Sequence, residues 1–157
     1  MVKKILFVCL GNICRSPAAE GIFKKKIKDR ELENLFAVDS AGTGGWHVGN
    51  RADRRMCEAA LSRGIELTSR SRKIDHNDLY EFDHILVMDK DNLNAVKSLI
   101  KDDMHPMHSK IKLILSYSKK SKLDEVPDPY YGGQNGFEEV LDLLDDAIDE
   151  LIDSLID

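Results

Sequence analysis

Two segments far apart in the chain carry residues whose types and spacing suit phosphoryl chemistry. The first reads Cys9-Leu10-Gly11-Asn12-Ile13-Cys14-Arg15-Ser16, a C-x5-R sequence followed by serine. A loop of this length, running from a strand into a helix, can curl so that the backbone N–H groups of Leu10, Gly11, Asn12, Ile13 and Cys14 point inward. The helix N-terminus adds unpaired donors and the positive end of its dipole. Together they form a cradle for a tetrahedral dianion. Gly11 permits close backbone approach, and Asn12 tolerates a left-handed conformation. Arg15 supplies a planar fork that grips two oxygens at once, which Lys cannot do. Cys9 sits at the base, where the field that binds an anion also favours a thiolate nucleophile. Ser16 is placed to donate a hydrogen bond to its sulfur.

A thiolate attacking a phosphate ester must expel an alkoxide or phenoxide, so a proton donor is required. Asp128, within Val126-Pro127-Asp128-Pro129-Tyr130-Tyr131, is the candidate. Two prolines stiffen its loop, and the glycines beyond allow it to be laid over a site. Taken alone, an aspartate between prolines is as readily a turn former, and a cysteine at a strand end is as readily core. Trp46, Tyr130 and Tyr131 can wall a flat substrate ring.

The elements that must position these residues alternate between strand and helix. Ile5 to Cys9 is a continuous apolar run, as expected of a strand buried on both faces. Ser16 as N-cap and Pro17 at the first position open a helix to about Asp29. Strands are expected at Phe36 to Ser40, His84 to Met88 and Ile111 to Leu115. Helices are expected at Ala52 to Arg63, Asp75 to Tyr80 and Asp89 to Ile100. Asp124 to Gly136 reads as loop. From Phe137 an apolar stripe runs through Leu144, Ile148 and Leu151 to Ile156, marking the last helix. Alternation of this kind implies a parallel sheet covered on both faces, with ligands bound beyond the carboxyl ends of the strands. That rule points to the turn after strand one.

The chain has 157 residues, of which 42% are hydrophobic and 32% charged. This is a globular balance at a length that favours one domain. Residues 134–157 hold nine acids and no Lys or Arg, leaving the rest of the chain at +4 within a net charge of -5. The acidic end reads as a solvated helix face, and a weakly basic body gives no case for nucleic acid. No apolar run approaches a membrane span, and the six apolar residues from Ile5 fall short of a signal-peptide core. A cytoplasmic location with reduced thiols is expected. The five histidines, His47, His76, His84, His105 and His108, show no metal-ligand spacing, so neither metal nor cofactor is expected. Cys57 reads as core.

Cys9 to Ser16 with Pro17-Ala18-Ala19-Glu20, Asp39-Ser40-Ala41-Gly42-Thr43, Met88-Asp89 and Asp128-Pro129-Tyr130-Tyr131 together resemble the low-molecular-weight protein tyrosine phosphatases. The resemblance spans nearly the whole chain in order and spacing. It implies in-line attack by Cys9 on phosphotyrosine, a phosphocysteine intermediate, and Asp128 acting first as acid and then as base. It implies no metal, because the cradle and Arg15 supply the positive charge. Asn12 and Ser40 match residues that brace the loop, and Asp89 matches a carboxylate at its rim. Ser69 stands where the family commonly has a bracing His, with shorter reach and no charge. Cys14 either packs or pairs with Cys9 to shield it from overoxidation, and the resemblance favours the second.

The expected architecture is α/β, a single domain over residues 1–157, with a four-stranded parallel sheet flanked by helices in the flavodoxin-like order 2-1-3-4. Expected partners are phosphotyrosine-containing proteins, with inorganic phosphate or other oxyanions as competitors and the protein itself a monomer. Two other functions share these motifs. A thiol-dependent arsenate reductase needs later cysteines, and none follows Cys57. A silent phosphate-binding module would tolerate loss of Cys9, Arg15 or Asp128.

Overall fold

The computed structural model describes residues 1–130, 132, 133 and 135–156, and for 102–105 the backbone alone. β1 (Lys3–Cys9) is central, flanked by β2 (Phe36–Gly42) and β3 (His84–Val87), with β4 (Ile111–Leu113) beside β3. All pairings are parallel, giving the order β2-β1-β3-β4. Ile5 to Cys9 are all buried, and successive side chains enter opposite layers. Ile5, Phe7 and Cys9 join the core beneath α1 (Arg15–Asp29), α2 (Arg54–Leu61) and α5 (Asn135–Ile156). Leu6 and Val8 join the core beneath α3 (His76–Glu81) and α4 (Lys90–Lys97). A continuous apolar strand is what a sheet buried on both faces requires.

The helix boundaries differ from the sequence expectation where side chains have other work. α1 starts at Arg15, with Cys14 at the N-cap and no side-chain cap. Ser16 does not cap it, because its hydroxyl is committed to Cys9 and Asn12. The first-turn N–H groups therefore have no side-chain oxygen competing for them. α2 starts two residues after Ala52, capped by the Asp53 carboxylate. α3 is held by a capping box between Asp75 and Asp78. α4 is capped by Asp89 and ends at Lys97. A 3-10 segment over Asp102–Lys110 had no counterpart in the sequence reading. β4 stops at Leu113, where the chain turns into a 3-10 helix, Ile114–Tyr117.

α5 buries its apolar stripe as expected. Its acidic flank is not simply solvated. Lys26 of α1 reaches Asp145 and Asp149 at 2.9 Å each. Arg30 pairs with Asp153 at 2.7 Å, and Arg63 pairs with Glu138 and Asp142. Half-exposed pairs add little stability; these align α5 with opposite charge on α1 and at the ends of α1 and α2. Among the described residues no helix is long and apolar enough to cross a membrane.

Candidate active site

β1 ends at Cys9, directly opposite Gly42 at the end of β2. The chain between Cys9 and Arg15 curls over this edge. Asn12 takes a left-handed conformation, φ 56°, and the Thr43 and Gly44 N–H groups bond the Cys9 and Leu10 carbonyls. Gly42 is required by this packing: a Cβ there would lie 2.8 Å from the Leu10 oxygen and 3.1 Å from the Asn12 nitrogen.

A chain of side-chain hydrogen bonds braces the curl from below. The Asn12 amide nitrogen donates to Ser16 Oγ at 2.8 Å and to Ser40 Oγ at 3.0 Å. Ser40 donates onward to Glu20 Oε1 at 2.6 Å, and Lys24 donates to Glu20 Oε2 at 2.6 Å. Glu20 is buried, and its charge is paired with the half-exposed Lys24. The direction of the chain matters. A carboxylate can only accept, so Ser40 spends its proton on Glu20 and receives one from Asn12. Ser16 likewise receives one from Asn12. Its own proton then has two acceptors, Cys9 Sγ at 3.0 Å and the Ala41 carbonyl at the longer 3.4 Å. The Asn12 carbonyl oxygen accepts from the Arg72 N–H, and Ser71 Oγ donates to the Gly11 carbonyl.

Ser69 makes no side-chain hydrogen bond to the loop among the described residues. It lies beside Pro17, Glu20 and Lys24 around a small void. The bracing that reaches the loop from this stretch comes from Ser71 and Arg72.

Arg15 is 2% exposed. Its Nη1 donates to Asp89 Oδ2 at 2.6 Å and to the Val126 carbonyl at 3.0 Å. Burial pulls its pKa down, but the facing Cys9 sulfur and Asp89 outweigh that, and the guanidinium lies above its ordinary value. Nη2 stands 3.6 Å from Asp128 Oδ2. The Asp128 loop is tied to the sheet by Val126, whose N–H bonds the Met88 carbonyl at 2.8 Å. Asp128 Oδ1 accepts the Tyr130 N–H at 3.0 Å, leaving Oδ2 toward the cavity.

Cys9, Arg15 and Asp128 line one cavity of about 430 Å³, rimmed by Trp46, His47 and Tyr130. Leu10, Gly11, Ile13 and Cys14 also line it, whereas Asn12 is turned into the brace beneath. Trp46 is 72% exposed and lies across Gly44, where a Cβ would strike its ring. Tyr131 falls outside the described residues. Sequence reasoning missed His47, whose ring centroid is 6.1 Å from that of Tyr130; its place beside Trp46 in the glycine-rich loop was the available signal.

Cys14 lines the cavity as a buried free thiol. Burial, together with the charges of Asp53, Cys9 and Asp128, pushes its pKa far above the ordinary thiol range. Cys14 therefore holds its proton more firmly than an ordinary thiol. Cys57 is half-buried rather than core, with its thiol against the Ala52 carbonyl. A sulfur at the base of the curled loop, a buried guanidinium and an aspartate across an aromatic-rimmed cavity can together carry out nucleophilic displacement at phosphorus.

Residues 4–157 match the family model described as low molecular weight phosphotyrosine protein phosphatase. A relative from Synechocystis sp. that carries the family's name is 51% identical over 144 residues, 92% of this chain and 90% of its own. The Homo sapiens low molecular weight phosphotyrosine protein phosphatase is 40% identical over 138 residues, 88% of this chain and 86% of its own. A crystal structure of protein tyrosine phosphatase from Entamoeba histolytica superimposes with a TM-score of 0.93 at 44% identity, covering 98% of this chain and 96% of that one.

Proposed function

The chain belongs to the low molecular weight phosphotyrosine protein phosphatases, and on that premise we propose that it hydrolyses phosphotyrosine through a phosphocysteine on Cys9. As a family member it is a phosphoric monoester hydrolase. The supporting observation is that Cys9, Arg15 and Asp128 converge on one cavity whose rim is aromatic.

In the first step the Cys9 thiolate attacks phosphorus in line. The S–P bond forms, the P–O bond to the tyrosine ring breaks, and Asp128 gives its proton to the leaving phenolate oxygen. Arg15 and the loop amides bear the charge on the three equatorial oxygens. In the second step Asp128, now a carboxylate, takes a proton from water. The water oxygen bonds to phosphorus, the S–P bond breaks, and thiolate and inorganic phosphate are released. Ser16 donates to the sulfur as nucleophile and again as leaving group. Trp46 and Tyr130 hold the substrate ring. The substrates are phosphotyrosine-bearing proteins, inorganic phosphate competes for the cradle, and the cytoplasm is the setting.

The deciding experiment is hydrolysis of an aryl phosphate near pH 5–6, with and without a chelator. Wild-type turnover is expected to be unaffected by the chelator and abolished in Cys9→Ser. Asp128→Ala should cost on the order of 10²–10⁴ in rate. Acid quench during turnover should find phosphorus on Cys9. Phosphorus on another residue, or turnover in Cys9→Ser, overturns the mechanism.

A further inference from the structure

We propose that Arg55 is a positioning residue that aims the Asp128 carboxyl group, acting through the two peptide groups of Tyr130. The proposal rests on the reading of Asp128 as the general acid.

Arg55 stands in the first turn of α2, and Asp53 at the N-cap fixes it in place. The Asp53 carboxylate accepts from Arg55 Nε at 3.1 Å and from Nη2 at 3.0 Å, a bidentate grip that sets the guanidinium plane. Asp53 is itself tied to the cradle, because its N–H bonds the Ile13 carbonyl at 2.7 Å. From this mount, Arg55 Nη2 donates to the Tyr130 carbonyl at 3.1 Å. The guanidinium carbon also lies 4.8 Å from the Phe137 ring centroid and 5.5 Å from that of Tyr130, both within cation–π range.

The line of contacts is continuous and directional. Arg55 holds the Tyr130 carbonyl, the Tyr130 N–H holds Asp128 Oδ1, and Asp128 Oδ2 is left facing Arg15 and the cavity. One guanidinium thus joins the phosphate cradle, through Asp53 and Ile13, to the loop that carries the acid. The two halves of the site come from opposite ends of the chain and share this strut. Lys at position 55 could not grip Asp53 with two parallel bonds, reach Tyr130 and stack at the same time.

A misaimed acid has a signature that general destabilisation lacks. It slows expulsion of a basic leaving group far more than expulsion of an acidic one, which needs little protonation. The test compares kcat/KM for phenyl phosphate and p-nitrophenyl phosphate in wild type, Arg55→Ala, Arg55→Lys, Asp53→Asn and Asp128→Ala, and in Arg55→Ala with Asp128→Ala. Inorganic phosphate inhibition is measured in each as a check that the cradle is intact. Arg55→Ala should lower kcat/KM for phenyl phosphate by about 10- to 100-fold, the cost of an ångström-scale misplacement. The p-nitrophenyl ester and phosphate inhibition should change by less than about 3-fold. Arg55→Lys should not restore the rate, and Asp53→Asn, which keeps the helix cap, should show the same selectivity to a smaller degree. Adding Arg55→Ala to Asp128→Ala should change little, as for residues acting in one line.

Equal loss on both esters, full rescue by Lys, or an undiminished Arg55→Ala effect without Asp128 overturns the proposal. If Asp128→Ala itself shows no leaving-group dependence, the acid assignment fails and the role of Arg55 falls with it.

Discussion

Arg15 Nη1 lies 2.6 Å from Asp89 Oδ2, while Oδ1 of the same carboxylate accepts the Asn92 N–H and caps α4. One aspartate therefore orients the buried guanidinium and starts a helix. Asp89→Asn keeps the cap and loses the charge, so KM for an aryl phosphate should rise by about 10-fold with little change in melting temperature. Asp89→Ala should match that KM effect and also destabilise the fold by about 1 kcal/mol. Steady-state kinetics beside thermal melts separate the two roles; equal melting temperatures for Asn and Ala would refute the capping half.

Glu20 terminates the brace that leaves the Ser16 proton available to Cys9. Glu20→Gln removes the obligate acceptor and lets Ser40 and Asn12 reorient. The expected outcome is a fall in kcat of about 10-fold and destabilisation of about 1–3 kcal/mol from disturbing a buried bonded group. Phosphate inhibition, which reads the amides and Arg15, should hardly move. A variant with unchanged kcat would show that the direction of the brace is irrelevant to turnover.

Gly42 lies against loop backbone, which cannot swing aside as a side chain can. Gly42→Ala should therefore cost both phosphate affinity and turnover. At Gly45 the nearest contacts for a Cβ are side-chain carbons at 3.7 Å, so Gly45→Ala should be close to neutral. Comparing phosphate inhibition constants for the two variants checks the difference.

Cys14 is expected to make stability fall at alkaline pH. Its folded pKa is raised above the ordinary 9.0 by burial and by neighbouring negative charge. Above about pH 9 the unfolded chain loses this proton and the native state keeps it, so unfolding becomes easier as pH rises, by up to about 1.4 kcal/mol per pH unit. The contribution is fully present below that pH. Cys14→Ser should flatten the decline in urea midpoint between pH 9 and 10.5. An identical slope in both proteins would exclude Cys14 as its source.

The cradle was legible because its parts are consecutive. Cys9, Asn12, Arg15 and Ser16 lie within one turn between a strand and a helix, and local geometry dictates what they surround. Asp128 was a candidate from its proline-flanked loop, but that neighbourhood serves a turn former as well, and only the resemblance separated the two; Asp89 was reached through resemblance alone. Glu20, Ser71, Arg72 and Arg55 were invisible as site residues. Each acts on the loop from a different element, through contacts that exist only once the sheet order has brought those elements together. Ser69 illustrates the limit: it aligned with a bracing position, yet loop contact passes to Ser71 and Arg72 two and three residues on. The start of α1 was misread for a related reason, because good N-cap chemistry at Ser16 was diverted to the sulfur. The acidic flank of α5 showed its charge but not its basic partners, Lys26 on α1, Arg30 just past it and Arg63 just past α2.

Trp46 is the single tryptophan of the chain, and it stands at the mouth of the cavity with most of its surface in water. Native emission is therefore a built-in optical probe of the rim, quenched or shifted when a ring or an oxyanion enters and blind to rearrangements in the layers below. An unfolding titration followed at that wavelength would register little, because the indole is solvated before and after; circular dichroism must carry the stability measurements while fluorescence is reserved for occupancy.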